Sequence, residues 1–92
     1  IEDDEVVNSF DCYPNPFSDN IYIDIKLKEK TEMNLSLLDI KGQKVKTLYE
    51  GMSKSNEFSF VLNKEIKDLS RGNYILSLNT SYGVHIRKIV KL

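Results

Sequence analysis

The sequence predicts an all-β fold, an immunoglobulin-like antiparallel β-sandwich of about seven strands. Three observations carry this. Short runs of alternating apolar and polar residues recur along the chain. Gly, Pro and Asn/Asp clusters punctuate them. No apolar pattern with a helical period extends for more than a turn. At 92 residues, with 40% hydrophobic content, the chain has room for one core. A domain of this size buries only about 60–65% of the surface of its unfolded chain, which leaves it marginally stable.

Residues 1–9 read as an acidic linker to an upstream cargo domain, and residues 10–92 as the folded unit. Glu2, Asp3, Asp4 and Glu5 crowd the first stretch, with a weak strand nucleus at Val6-Val7. Phe10 to Tyr13 reads as a short first strand, ended by Pro14-Asn15-Pro16. There two prolines remove two ladder donors and push Tyr13 and Asn15 toward extended backbone. Ile21, Ile23, Ile25 and Leu27 then fall on one face, with Asp24, Lys26 and Lys28 on the other: a half-buried strand. Met33, Leu35 and Leu37 repeat the pattern.

Asp39-Ile40-Lys41-Gly42 has the chemistry of a hairpin turn, because Asp bonds its own downstream backbone and Gly takes positive φ. The return segment Lys44 to Tyr49 spaces Val45 and Leu48 by three. That calls for a bulge or an inward Thr47, or else a short helical turn. Gly51 to Asn56 reads as a loop, followed by a strand on Phe58, Phe60 and Leu62. Asn63 to Arg71 either holds a helical turn or covers one end of the core. Tyr74, Leu76 and Leu78 alternate after Gly72, with Tyr74 placed for a tyrosine corner or for simple packing at the sheet end. A turn at Thr80 to Gly83 leads into the last strand. Val84, Ile86, Lys88 and Val90 share one face of it; His85, Arg87, Ile89 and Lys91 share the other.

The chemical inventory is sparse. His85 is the only histidine, read as an outward strand residue, and no metal pair can be built on it. Cys12, the only cysteine, forms no internal disulfide. It reads as a small, partly buried strand residue, against a reactive thiol or an intermolecular bridge. No phosphate loop or nucleophile–base constellation is present, so the reading is of a chain without catalytic, cofactor-binding or metal residues. Net charge is −1. Seven acids and no Lys or Arg occupy residues 1–24, while all 13 basic residues lie from Lys26 to Lys91. No basic cluster interleaves with aromatics, which argues against nucleic acid.

Three stretches together resemble the type A C-terminal sorting domain of the type IX secretion system of Bacteroidetes. They are Tyr13-Pro14-Asn15-Pro16-Phe17; Leu37 to Val45, with Asp39 and turn Gly42; and Leu69 to Leu76, with Gly72 and Tyr74, followed by the basic end Arg87 to Leu92. The sequence departs from the family at Leu38, where an aromatic is frequent, and near Ser70, where a second glycine is missing. The resemblance implies a C-terminal signal on a secreted cargo, carried through the periplasm and across the outer membrane to the cell surface or medium. It implies as partners the translocon, an outer-membrane shuttle protein and a sortase that cuts the linker around Glu2 to Phe10. The domain would be substrate and address, without enzymatic activity. His85, Arg87, Lys88 and Lys91 on the final strand are the expected recognition residues. A short first strand on an acidic linker is also suited to a strand-swapped dimer. The competing reading is a terminal carbohydrate-binding or spacer sandwich of a secreted enzyme or adhesin, with Tyr22, Tyr49 and Tyr82 as its aromatic platform.

Overall fold

A computed structural model of the chain describes residues 6–92; the acidic residues Glu2 to Glu5 lie outside them. Seven strands make up the described part: β1 Val7–Tyr13, β2 Ile21–Leu27, β3 Glu32–Asp39, β4 Lys44–Met52, β5 Glu57–Leu62, β6 Gly72–Thr80 and β7 Gly83–Lys91. They form two antiparallel sheets, ordered β1-β2-β5 and β4-β3-β6-β7, in the immunoglobulin-like arrangement that the alternation predicts. Ile21, Ile23, Ile25 and Leu27 of β2 face Met33, Leu35 and Leu37 of β3 and Leu76 and Leu78 of β6 across the core, and all are buried.

The turn at 39–43 forms as its residues dictate. Asp39 Oδ1 accepts from the amides of Lys41 and Gln43, both at 2.9 Å, and Gly42 has φ 87°. The irregular spacing on β4 is resolved by bulges. Tyr49 and Thr47 oppose successive β3 residues with Leu48 between them, and Lys46 and Lys44 do so with Val45 between them. Thr47 pairs with Ser36 on the outward side, so it does not repair the phase by turning inward. Tyr74 makes the tyrosine corner, its hydroxyl donating to Ser70 O at 2.8 Å. Residues 63–69 form successive turns rather than a helix, and they seat the fully buried Ile66 over one end of the core.

Two boundaries differ from expectation. β1 starts at Val7 rather than Phe10, because Val6, Val7 and Phe10 all reach the core, and an irregular register at Asn8 brings Val7 and Phe10 to the same side. β4 runs on through Gly51 and Met52, which pair with Met33 and Glu32, so the loop before β5 is shorter than Gly51 to Asn56.

Each long side of the sandwich is closed differently. Where β4 faces β5, Tyr49, Phe58 and Phe60 cluster with ring centroids 5.6–6.2 Å apart. Where β1 faces β7, a single cation does the work: the Arg87 guanidinium lies 5.0 Å from the centroid of the Phe10 ring, and its Nε donates to Phe10 O at 2.9 Å.

Candidate recognition surface

The final strand is held from two directions. On one side β6 pairs with it along its full length, from Thr80↔Gly83 to Gly72↔Lys91. On the other, the Pro14-Asn15-Pro16-Phe17 segment acts as a substitute neighbouring strand. Asn15 Nδ2 donates to Lys88 O at 2.9 Å, and Asn15 Oδ1 accepts from Val90 N at 3.0 Å. Phe17 N donates to Val90 O and Phe17 O accepts from Leu92 N, both at 2.9 Å, which forms a parallel bridge to Lys91. The Phe17 side chain is only 1% exposed and anchors this segment in the core. Both X–Pro bonds, at Pro14 and Pro16, are cis. The prolines bring no amide hydrogens to this edge. The asparagine between them brings both a donor and an acceptor on one side chain, which is what a strand edge demands.

The four basic residues expected to mark the strand do not share a face. Ile89 is fully buried, so His85, Arg87 and Lys91 lie on the core-facing side, and Lys88 on the outer side with Val84, Ile86 and Val90. His85 is therefore not an outward residue: it pairs with the buried Leu78 and is half-buried. Arg87 spans the opening to β1. Lys91 donates from Nζ to Ile66 O at 2.8 Å and to Lys67 O at 3.4 Å, fastening the 63–69 turns to the strand. Lys91 also lines, with Ser18, Asp19, Asn20, Asn63, Lys64 and Lys67, an open cleft of about 440 Å³. Of the four, only Lys88 presents its charge on the outer sheet face without a bond to backbone from its ammonium.

The remaining motif residues, Asp39, Gly42, Gly72 and Tyr74, sit at the turn and the corner described above. Their roles are in chain reversal. Sequence reasoning left Phe17 without a structural role and missed the Asn15 clip to β7. The pairing is non-local, and its one local signal is an Asn flanked by prolines, a place where a side chain must replace missing backbone donors.

The outer face of the three-stranded sheet carries a separate polar network. Tyr13 and Tyr22 stack at 5.6 Å. Tyr13 donates from its hydroxyl to Asp24 Oδ2 at 2.7 Å, and Ser59 donates to Asp24 Oδ1 at 2.9 Å. The Tyr13 bond, then the Ser59 bond, draw the Asp24 carboxyl below its ordinary value, and the Asp24 bond holds the Tyr13 hydroxyl protonated above its ordinary value. The depressed carboxyl contributes stability above its unfolded value and loses it as pH falls through the folded one. The raised phenol contributes stability below its unfolded value and loses it as pH rises through the folded one. The contact therefore stabilises between the acid carboxylate range and the alkaline phenol range. Tyr13→Phe is expected to reduce stability inside that window and to leave the acid and alkaline extremes unchanged, as read by urea midpoints across pH. A pH-independent loss would show that the hydroxyl stabilises by something other than its bond to the ionised Asp24 carboxyl.

Cys12, half-buried on β1, is the partly buried strand residue expected. Burial pushes its thiol up, and the nearby Arg87 charge opposes this only in part. The three tyrosines of the competing reading lie apart. Tyr22 stands on the three-stranded face, Tyr49 is packed between the sheets with its hydroxyl on Met52 O, and Tyr82 is in the β6–β7 turn bonded to Glu29. They form no common platform. Among the described residues, no three His, Cys, Asp or Glu side chains gather as a metal ion would require.

A family model described as a secretion system C-terminal sorting domain matches residues 11–92, from within β1 to the final residue. No curated protein sequence matches the chain.

Proposed function

The chain belongs to the family of type IX secretion system C-terminal sorting domains, and from that premise we propose that it addresses an upstream cargo to the outer-membrane translocon and is then cut away by a sortase. A sorting signal of this family directs export across the outer membrane to the cell surface or the medium, and the family is not an enzymatic one. The observation that carries the reading is the extent of the match, which takes in nearly the whole sandwich together with the Asn15 and Phe17 contacts to the final strand.

The finer steps are those that the family resemblance implies. The cargo travels through the periplasm, a shuttle protein of the outer membrane receives it, and the sortase acts on the linker before the sandwich. A protease needs an extended, accessible segment. Val6 is buried and its carbonyl accepts from Lys28 N at 2.8 Å, which favours a bond on the N-terminal side of Val6. The test is a fusion of residues 1–92 to a periplasmic reporter in a Bacteroidetes host. The reporter is expected at the surface or in the medium only when the translocon is intact, with the released tail beginning at or before Val6. A reporter that stays in the periplasm would overturn the reading, and a tail beginning beyond Val6 would overturn the cleavage position.

A strand-swapped dimer in which β1 pairs with a neighbour's β2 belongs to the same proposal. Sedimentation equilibrium is expected to show a dimer fraction that grows with concentration, and purely monomeric behaviour at high concentration would remove it.

A further inference from the structure

The edge of β7 is covered along only half its length. Lys88 O, Val90 N, Val90 O and Leu92 N point away from β6, where Asn15 and Phe17 meet them. Antiparallel alternation directs the backbone groups of Val84 and Ile86 to that same side, because His85 and Arg87 face β6. Among the described residues the amides of Val84 and Ile86 and the carbonyl of Val84 meet no protein partner, and Ile86 O receives only Arg87 Nη1 at 2.9 Å.

This half-edge lacks the features that guard neighbouring edges. β4 at the far side of the same sheet is broken by two bulges and carries Lys44 and Lys46. The facing edge of β1 is irregular at Asn8, and its Phe10 carbonyl is occupied by Arg87. Val84 to Ile86 is regular, and its outward side chains are apolar, with Val84 61% and Ile86 52% exposed. Lys88 follows on the same outer face, at the point where the Asn15 clip closes the slot.

We propose that Val84 to Ile86 is a strand-acceptor site, which takes a short extended segment of the secretion machinery by backbone pairing. The exposed pleat of Val84 and Ile86 selects apolar residues at alternate positions of that segment, and Lys88 selects a carboxylate at its end. The identity of the partner rests on the address function proposed above. The clip sets the length of the site, because backbone groups beyond Lys88 are already taken.

Two measurements test this. In hydrogen exchange on the 92-residue chain, the amides of Val84 and Ile86 are expected to exchange at least about 100-fold faster than those of His85 and Arg87, which face β6. Equal protection would overturn the proposal, since the edge would already be filled. In the reporter fusion, Ile86→Pro removes a donor directed away from β6 and leaves the β6 ladder intact, so the fold is retained. Its export is expected to fall at least about tenfold, while Ile86→Val, which keeps both the donor and the apolar surface, exports near the unsubstituted level. Should Ile86→Pro fail to fold, Val84→Pro carries the same test. Normal export of the folded proline variant overturns the acceptor site and leaves the address function standing. Equal loss in the valine variant overturns it in favour of recognition of the Ile86 side chain alone, and a concentration-dependent dimer abolished by the proline overturns it in favour of a second copy. An unsubstituted fusion that is not exported overturns the address function itself, and this assignment with it.

Discussion

Phe17→Ala is expected to lower the unfolding free energy by about 3–5 kcal/mol, the cost of emptying a fully buried aromatic site. The ring is 1% exposed, and its backbone makes two of the four bonds that close the β7 edge. Small domains hold only about 5–15 kcal/mol in total, so the variant is expected to populate unfolded chains at growth temperature. Urea midpoints with an unchanged slope are the direct measurement. A loss under about 1 kcal/mol would mean that the site collapses around the missing ring and that Phe17 does not anchor the clip.

Arg87→Glu and Lys88→Glu are expected to separate, although they are neighbours and the same charge is reversed. Arg87 closes the sandwich over Phe10 by a cation–π contact and a hydrogen bond to its carbonyl. Losing both is expected to cost about 1.5–3 kcal/mol, taken toward the low end because much of the side chain is in solvent. A carboxylate at that place would also meet the Phe10 carbonyl. Lys88 stands on the outer face, and its reversal is expected to change stability by no more than about 0.5 kcal/mol. Export of the Lys88→Glu fusion is nonetheless expected to fall at least about tenfold if this charge helps to align a partner strand. Calorimetry of the two variants beside their export assays reads both effects. Equal destabilisation would show that Arg87 does not hold the two sheets together, and full export of Lys88→Glu would remove that residue from recognition.

Much of this architecture is written in local pattern. Ile21 to Leu27 alternate so regularly that their buried face needed no further information, and Asp39 with Gly42 specified a turn by their own bonding. The three-residue spacing on β4 left a bulge, an inward Thr47 or a helical turn open, and the pairing register selects the bulge. What could not be read locally depends on contacts distant in sequence. Alternation divides β7 into two faces without saying which faces the core. The face with three basic residues is the inner one, because the strand lies at the sheet's edge, where long cationic side chains bury their stems and carry their charge to backbone carbonyls. The start of β1 was obscured by polar Asn8 and Ser9, which sit at the irregular register step. For the same reason the four residues expected to mark the strand were legible as a basic strand end, while their division between core-facing and outer sides was not.

The Asn15 contacts join residues 73 and 75 positions apart. Closing so long a loop is entropically costly until both ends are present, and folds dominated by such pairings assemble slowly. A polypeptide whose synthesis stopped before β7 would offer Asn15 and Phe17 nothing to bind, would leave Phe10 without its guanidinium lid, and would lack the buried Ile89. Completion of β7 is thus a precondition for the closed sandwich. On the address function proposed above, a chain cut short of β7 would carry no readable signal.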